Sequence, residues 1–368
     1  MGRGWAMTAA AEPGARRAFL VPGALTGPSG GSRYNDRLLS GLRAAGLAVS
    51  EDRVPGAWPR PAAEDRRALE TALRRYDDVV VDGLIASAAP EEIARARAQG
   101  VRVTALVHLP LPAERGLDGA PAGASDGGPD DALAAMERRA LREVDAVIAT
   151  SAWARRDLER RYGLDGIQVA APGTDAAPVA AGSTPPRLLF LGSLTPRKNV
   201  LTLVHALTAL KDRSWSAAIV GPVPDDGAYA AAVRDAARPA GGAIRILGAR
   251  EGAALEALWE QTDLLVLPSL AETYGMVVTE ALAHGIPAMV AAGTGAVEAL
   301  TGSGERDGLP VPGIALDPHD VQPWTRGLAA WLDDPALRAR WRGAALEHRS
   351  RLRAWETVAE EVMTAMRW

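Results

Sequence analysis

Two carboxylates, Glu272 and Glu280, stand either side of a helix start in the stretch LLVLPSLAETYGMVVTEALAHGIPAMV, residues 264–290. The apolar run Leu264 to Leu267 reads as a buried strand that Pro268-Ser269 ends. Glu272 falls in the turn that follows. Met276, Val277, Glu280, Ala281 and Ala283 have helical spacing, so a helix starts near Gly275, and His284-Gly285-Ile286-Pro287 closes it. A strand that turns into a helix aims unpaired N–H groups at the space beyond the sheet, and such a place attracts phosphate. Gly275 has no Cβ, so a ligand can approach the backbone closely there and along Met276 and Val277. Glu280 lies about one turn into the helix and can reach back over the same mouth. Carboxylates accept hydrogen bonds from hydroxyls, and a phosphate-bearing ligand rich in hydroxyls is a sugar nucleotide.

Other segments have related chemistry. In LLFLGSLTPRKNV, residues 188–200, a strand ends at Gly192, a short turn carries Arg197 and Lys198, and a helix begins near Asn199. Adjacent cations at a strand end suit a diphosphate, although a basic turn is ordinarily only solvated. Lysine occurs only at Lys198 and Lys211, which makes its presence in this turn more informative. VTALVHLPL, residues 103–111, puts His108 at the end of a strand in the first half. A lone histidine is more often structural, but open α/β sheets bind ligands beyond the carboxyl ends of their strands. A neutral imidazole can donate to, or accept from, a hydroxyl. The glycine-rich loop VPGALTGPSGGSRYN, residues 21–35, does not fit the dinucleotide fingerprint, because Gly23, Gly27, Gly30 and Gly31 lack the G-x-G-x-x-G spacing. It is either a flexible turn or, through Gly30 and Gly31, a backbone cradle at a helix N-terminus. Gly248-Ala249-Arg250 follows a further strand.

The Glu272-to-Glu280 string resembles the Glu-x7-Glu signature of the retaining glycosyltransferases of family 4, which have the two-domain GT-B fold. A lone pair of glutamates at this spacing would mean little, since such pairs are ordinarily solvated surface. The likeness rests on the ordered string: Pro268-Ser269 before it, Tyr274-Gly275 inside it, Glu280-Ala281-Leu282-Ala283 and Gly285-Ile286-Pro287 at its end. The resemblance spans residues 18 to 360 and is densest from 186 to 300. It implies a retaining hexosyltransferase that moves a sugar from a nucleoside-diphosphate donor to an acceptor hydroxyl, by a front-face route without a conventional protein nucleophile. Lys198, Arg197 and the helix start at Gly275 would stabilise the leaving diphosphate. Glu280 would bind the ribose hydroxyls, and Glu272 would position the sugar and help stabilise the cationic anomeric carbon. His108 would hydrogen-bond the donor sugar from the other domain, near a backbone cradle at Gly30 and Gly31. Gly248 and Arg250 lie where similar enzymes hold the base.

The chain departs from the family pattern in places. Family members often have an arginine directly after the glycine where this chain has Ser193, so Arg197 is expected to take over that charge. Gly293 to Leu300 resembles the family's Gly-Gly-x-Pro-Glu turn with Thr294 and Val297 as departures, and Glu298 reads as structural. The rival readings are a non-catalytic sugar-nucleotide-binding subunit and a GT-B sugar-nucleotide epimerase or phosphorylase. The Glu-x7-Glu string and the lack of a pyridoxal-type lysine context argue against the epimerase and the phosphorylase.

Composition limits the possibilities. A length of 368 residues suggests two domains, and an apolar content of 48% suffices for two cores. A net charge of −4 gives no bulk electrostatic case for nucleic acid. Cysteine is absent, which rules out disulfides, thiolate catalysis and cysteine-ligated zinc. No Asp-x-Asp occurs. Cation charge for a diphosphate is therefore expected from Arg197, Lys198 and helix ends, with no essential metal and no cofactor. The first fifteen residues hold no apolar core of signal-peptide length and read as a disordered leader, with Met7 as an alternative start. No run of 18 apolar residues exists, so no transmembrane helix and a soluble cytoplasmic protein are expected. The arginine-over-lysine bias, with abundant Ala, Gly and Pro, suggests a GC-rich bacterial source.

The elements that must position these residues follow from hydrophobic periodicity. Strands are expected at Ala18–Val21, Val79–Val81, Val101–Val107, Ala146–Ala149 and Ile167–Ala170, then at Leu188–Leu191, Ala217–Val220, Ile244–Leu247, Leu264–Leu267 and Pro287–Val290. Amphipathic helical patterns alternate with them. This βα alternation, twice over, predicts an α/β fold of two Rossmann-like doubly wound parallel-sheet domains, which in GT-B enzymes face a central cleft. The expected division is a leader at 1–15, an acceptor-side domain at 16–178, a Pro/Gly/Ser/Ala-rich linker at 179–186, a nucleotide-sugar domain at 187–345 and a last helix, 346–368, that crosses back to the first domain. Ala113–Asp131 reads as a mobile loop over the cleft. The acceptor, the sugar, the base and the oligomeric state are not legible.

Overall fold

Among the described residues, alternating strands and helices build two parallel sheets of six strands each. The computed structural model describes residues 14–23, 29–114, 129–223, 227–302 and 308–368. The leader to residue 13 with Met7, Gly27 in the glycine-rich loop, and residues 115–128 of the expected mobile loop lie outside them.

The first sheet contains β1 (Arg17–Pro22), β2 (Val49–Val54), β3 (Asp78–Asp82), β4 (Arg102–Val107), β5 (Ala146–Ala149) and β6 (Gln168–Val169), in the order β2-β1-β3-β4-β5-β6. The second contains β7 (Arg187–Leu191), β8 (Ser216–Val220), β9 (Ile244–Gly248), β10 (Leu264–Leu267), β11 (Ala288–Ala291) and β12 (Gly313–Leu316), in the order β12-β11-β10-β7-β8-β9. All neighbouring strands run parallel. Central strands such as β3 and β10 are buried along their whole length; β10 is apolar throughout and β3 between its terminal Asp78 and Asp82, as expected of parallel strands covered on both faces.

Two strands were not expected, β2 and β12, and both lie at a sheet edge. An edge strand is only partly covered, so β2 carries Ser50, Glu51, Asp52 and Arg53 between two buried valines and has no apolar run to detect. The helices Gly83–Ala86, Leu111–Glu114 and Ala296–Thr301 also went unexpected, being too short for a periodic signal.

The chain divides into two units. Among the described residues, 14–23, 29–114, 129–173 and 353–368 form the first, and 174–223, 227–302 and 308–352 form the second. In the first, the C-terminal helix Trp355–Met366 buries Val358, Ala359, Val362 and Met366. It packs on the helix Gly30–Ala44, where a side chain on Gly41 would come within 3.1 Å of the Ala359 methyl. The irregular stretch 174–186 is held to the second unit. Ala180 N–H donates to His284 O, Gly182 N–H to Glu260 O (both 2.9 Å), and the Asp263 carboxylate accepts from the backbone of Ser183 and Arg187. No helix among the described residues is long and apolar enough to cross a membrane. Because strands within each sheet are parallel, their carboxyl ends share one edge, where the chain turns that carry the polar residues collect.

Candidate active site

In the second unit the turns after β7 and β10 are joined. After β7 the chain makes a single tight turn over Pro196–Lys198 and then places Asn199 at φ +52°, a left-handed conformation that asparagine tolerates better than most residues. The Asn199 amide donates to Pro268 O at 3.1 Å and Pro318 O at 2.8 Å, and its oxygen accepts from Thr202 Oγ1. Leu270 N–H donates to Arg197 O at 2.8 Å, and Arg197 Nη1 donates to Ala271 O at 2.9 Å. These bonds bring Lys198 into a hydrogen-bonded ion pair with Glu272, with Arg197 Nη1 3.9 Å from the same carboxylate oxygen.

Glu272 is only 8% exposed. Burial alone pushes its carboxyl pKa up, but the Lys198 and Arg197 charges outweigh that and hold it below the usual carboxylate range. The stability this group contributes is therefore fully present above the ordinary value of 4.5 and is lost as the pH falls through the lower folded value.

The same turn runs directly into a helix. Gly275, at φ +84°, caps the helix Met276–Ala283, which Glu280 shares. Gly295 N–H donates to Glu272 O at 2.7 Å, and a Cβ at Gly295 would stand 1.9 Å from Thr273 O. A glycine is thus required where the turn after β11 closes on the 272–275 turn. The structure so groups Lys198, Arg197 and Glu272, with Gly275, Met276 and Val277 following directly along the chain. Gly248, at φ +68°, ends β9 and accepts from Gly221 N–H at 3.0 Å. Arg250 is exposed, and its Nη1 donates to Ala249 O at 2.7 Å.

In the first unit His108 follows β4. Its Nε2 lies 2.7 Å from Asn35 Oδ1, and Asn35 Nδ2 donates to Asp82 Oδ2 at 2.6 Å. Gly31 lies against the ring, since a Cβ there would be 3.2 Å from His108 Cδ2. Tyr34 meets the ring edge-on at 5.1 Å. Gly30 is the exposed first residue of the helix that Ser29 caps. Burial lowers the His108 pKa against the opposing pull of Asp82, so the imidazole is neutral at neutral pH. Sequence reasoning passed over Asn199, Asn35 and Asp82 as positioning residues. The available signals were an asparagine directly after two cations, and a carboxylate directly after the apolar run of β3.

Among the described residues, no group of three His, Cys, Asp or Glu is arranged to hold a metal ion.

Two Rossmann-like units with polar residues gathered at strand ends define a protein of the GT-B class, and comparison with solved structures agrees. Sucrose-phosphate synthase from Thermosynechococcus elongatus superposes with a TM-score of 0.76 over 96% of this chain and 98% of that one, at 19% identity. Anabaena HepE, solved in complex with UDP-glucose, gives 0.72 over 96% and 99%, at 16% identity. The family described as "Glycosyltransferase Family 4" matches residues 28–177, and that described as "Glycosyl transferases group 1" matches residues 174–348. The chain belongs to glycosyltransferase family 4. Among curated relatives, a D-inositol 3-phosphate glycosyltransferase of Corynebacterium glutamicum is 27% identical over 261 residues, covering 65% of this chain and 60% of that protein. The match spans between 52% and 60% of the length of the relatives bearing that name.

Proposed function

We propose that this chain is a retaining, metal-independent glycosyltransferase that moves a hexose from a nucleoside-diphosphate sugar to an acceptor hydroxyl. The observation that supports it most is the buried Glu272 carboxylate held by Lys198 and Arg197 immediately before the helix start at Gly275. When the bond between the anomeric carbon and the phosphate oxygen breaks, negative charge grows on the diphosphate. In this reading Lys198, Arg197 and the N–H groups at Gly275–Val277 stabilise it. Glu280 binds the ribose hydroxyls, and Glu272 positions the sugar beside the developing cationic carbon. The acceptor oxygen attacks from the face the diphosphate leaves, and its proton passes to the departing phosphate oxygen. Gly248 and Arg250 hold the base in this reading. His108, beside Gly30 and Gly31, hydrogen-bonds a sugar hydroxyl in this reading.

The test is a thermal-shift panel of UDP, GDP, ADP, TDP and their sugars, beginning with UDP-glucose because HepE is solved with it. The cognate ligand raises the apparent stability by mass action. Donor turnover with candidate acceptor alcohols then follows. Binding without any turnover across the acceptor panel would make the chain a sugar-nucleotide-binding subunit instead.

Glu280→Ala is expected to weaken nucleoside-diphosphate binding by about ten- to a hundredfold, because a hydrogen bond to a charged group contributes roughly 1.5–3 kcal/mol. Calorimetric titration measures this, and unchanged affinity in a folded variant removes Glu280 from the ribose site. EDTA is expected to leave transfer intact, since the diphosphate charge has protein partners in Lys198 and Arg197. Activity lost in EDTA and restored by magnesium or manganese would refute metal independence.

A further inference from the structure

We propose that Asp82 and Asn35 are positioning residues that lock His108 in the tautomer with its proton on Nε2. Asp82 ends β3, and its side chain is only 3% exposed. Its Oδ1 accepts from Leu84 N–H at 2.9 Å, capping the helix Gly83–Ala86, so the carboxylate cannot rotate freely. Its Oδ2 accepts from Asn35 at 2.6 Å. A carboxylate offers only acceptors, so the NH2 end of the Asn35 amide must face it. The Asn35 side chain is buried, and its oxygen is thereby directed at His108 Nε2, 2.7 Å away. An acceptor at that distance requires an N–H on the ring.

The ring is neutral because burial opposes its protonation, so Nδ1 is the acceptor nitrogen. Gly31 packs at Cδ2 and the Tyr34 ring stands edge-on, and together they restrict rotation of the imidazole. Any ligand group that meets Nδ1 must therefore donate, as a sugar hydroxyl does. That consequence rests on the proposed sugar contact of His108; the tautomer itself does not.

The test uses the full chain labelled with 15N-histidine, observed by NMR near neutral pH, with His108 assigned by its loss in His108→Gln. The wild-type spectrum is expected to show a protonated Nε2 and an unprotonated Nδ1 at His108. Asp82→Asn keeps an oxygen for the Leu84 cap but presents an amide that can donate. Asn35 can then reverse, its NH2 end can face the ring, and the opposite tautomer becomes populated. Asn35→Leu removes the acceptor and should also release the preference. A wild-type His108 carrying its proton on Nδ1 overturns the proposal, as does an unchanged tautomer in both folded variants. The wild-type spectrum decides even where a variant does not fold. Transfer by Asp82→Asn is expected to fall several-fold with nucleoside-diphosphate affinity unchanged. A shifted tautomer with wild-type transfer would uphold the lock and remove His108 from the sugar site.

Discussion

Lys198→Ala is expected to lower kcat by about 10²–10³-fold, the usual effect of removing one preorganised group that stabilises transition-state charge. Affinity for the free nucleoside should scarcely change, because in the proposed function the ammonium acts where diphosphate charge develops and not on the base or ribose. The turn is built to hold that ammonium in place. Asn199 anchors it to the ends of β10 and β12, and the Lys198 stem runs past Gly192, whose absent Cβ would lie 3.5 Å from Lys198 Cε. Arg197 cannot simply replace it, because its guanidinium is already directed at Ala271 O and stands 3.9 Å from the Glu272 carboxylate. Steady-state kinetics with the cognate donor measure the loss. A variant with wild-type kcat would reduce Lys198 to a structural partner of Glu272.

The core of each sheet and the turns that carry the second unit's candidate residues were legible in the sequence, and particular residues explain why. Leu264 to Leu267 and Val79 to Val81 are covered on both faces, so burial writes an uninterrupted apolar run into them. The 264–290 string was legible because strand end, glycine and helix start follow one another along the chain. β2 and β12 left no such record, since edge strands are only partly covered. The pairing of Lys198 with Glu272 joins residues 74 positions apart, and the approach of Asn35 to His108 joins residues 73 apart. No local periodicity encodes contacts of that kind. Arg250 is the opposite case: its position after β9 was legible, but the side chain is exposed and turned to its neighbour's carbonyl, which sequence spacing cannot foretell.

Glu272→Ala is expected to lower stability, abolish most transfer and yet increase the stabilisation that a nucleoside diphosphate confers. The carboxylate is buried between two cations whose side chains are themselves only 14% and 15% exposed. Removing it takes away the carboxylate that both cations face, and breaking a buried pair in this way costs about 3–5 kcal/mol. For a unit of this size that corresponds to a fall in Tm of roughly 6–20 °C. Glu272→Gln keeps the shape but not the charge, and should lose a comparable amount if the cause is electrostatic and much less if it is packing. In the wild type an arriving diphosphate meets cations already neutralised by Glu272. In Glu272→Ala it supplies the missing negative charge itself, so its affinity rises, and with it the ligand-induced gain in Tm. Transfer falls all the same under the proposed function, in which Glu272 positions the sugar. Thermal denaturation of wild type and both variants, each with and without the cognate nucleoside diphosphate, separates these effects. An unchanged Tm for Glu272→Ala, or a smaller ligand-induced gain than in the wild type, would mean that Glu272 does not hold the charge of Lys198 and Arg197 in readiness for a diphosphate.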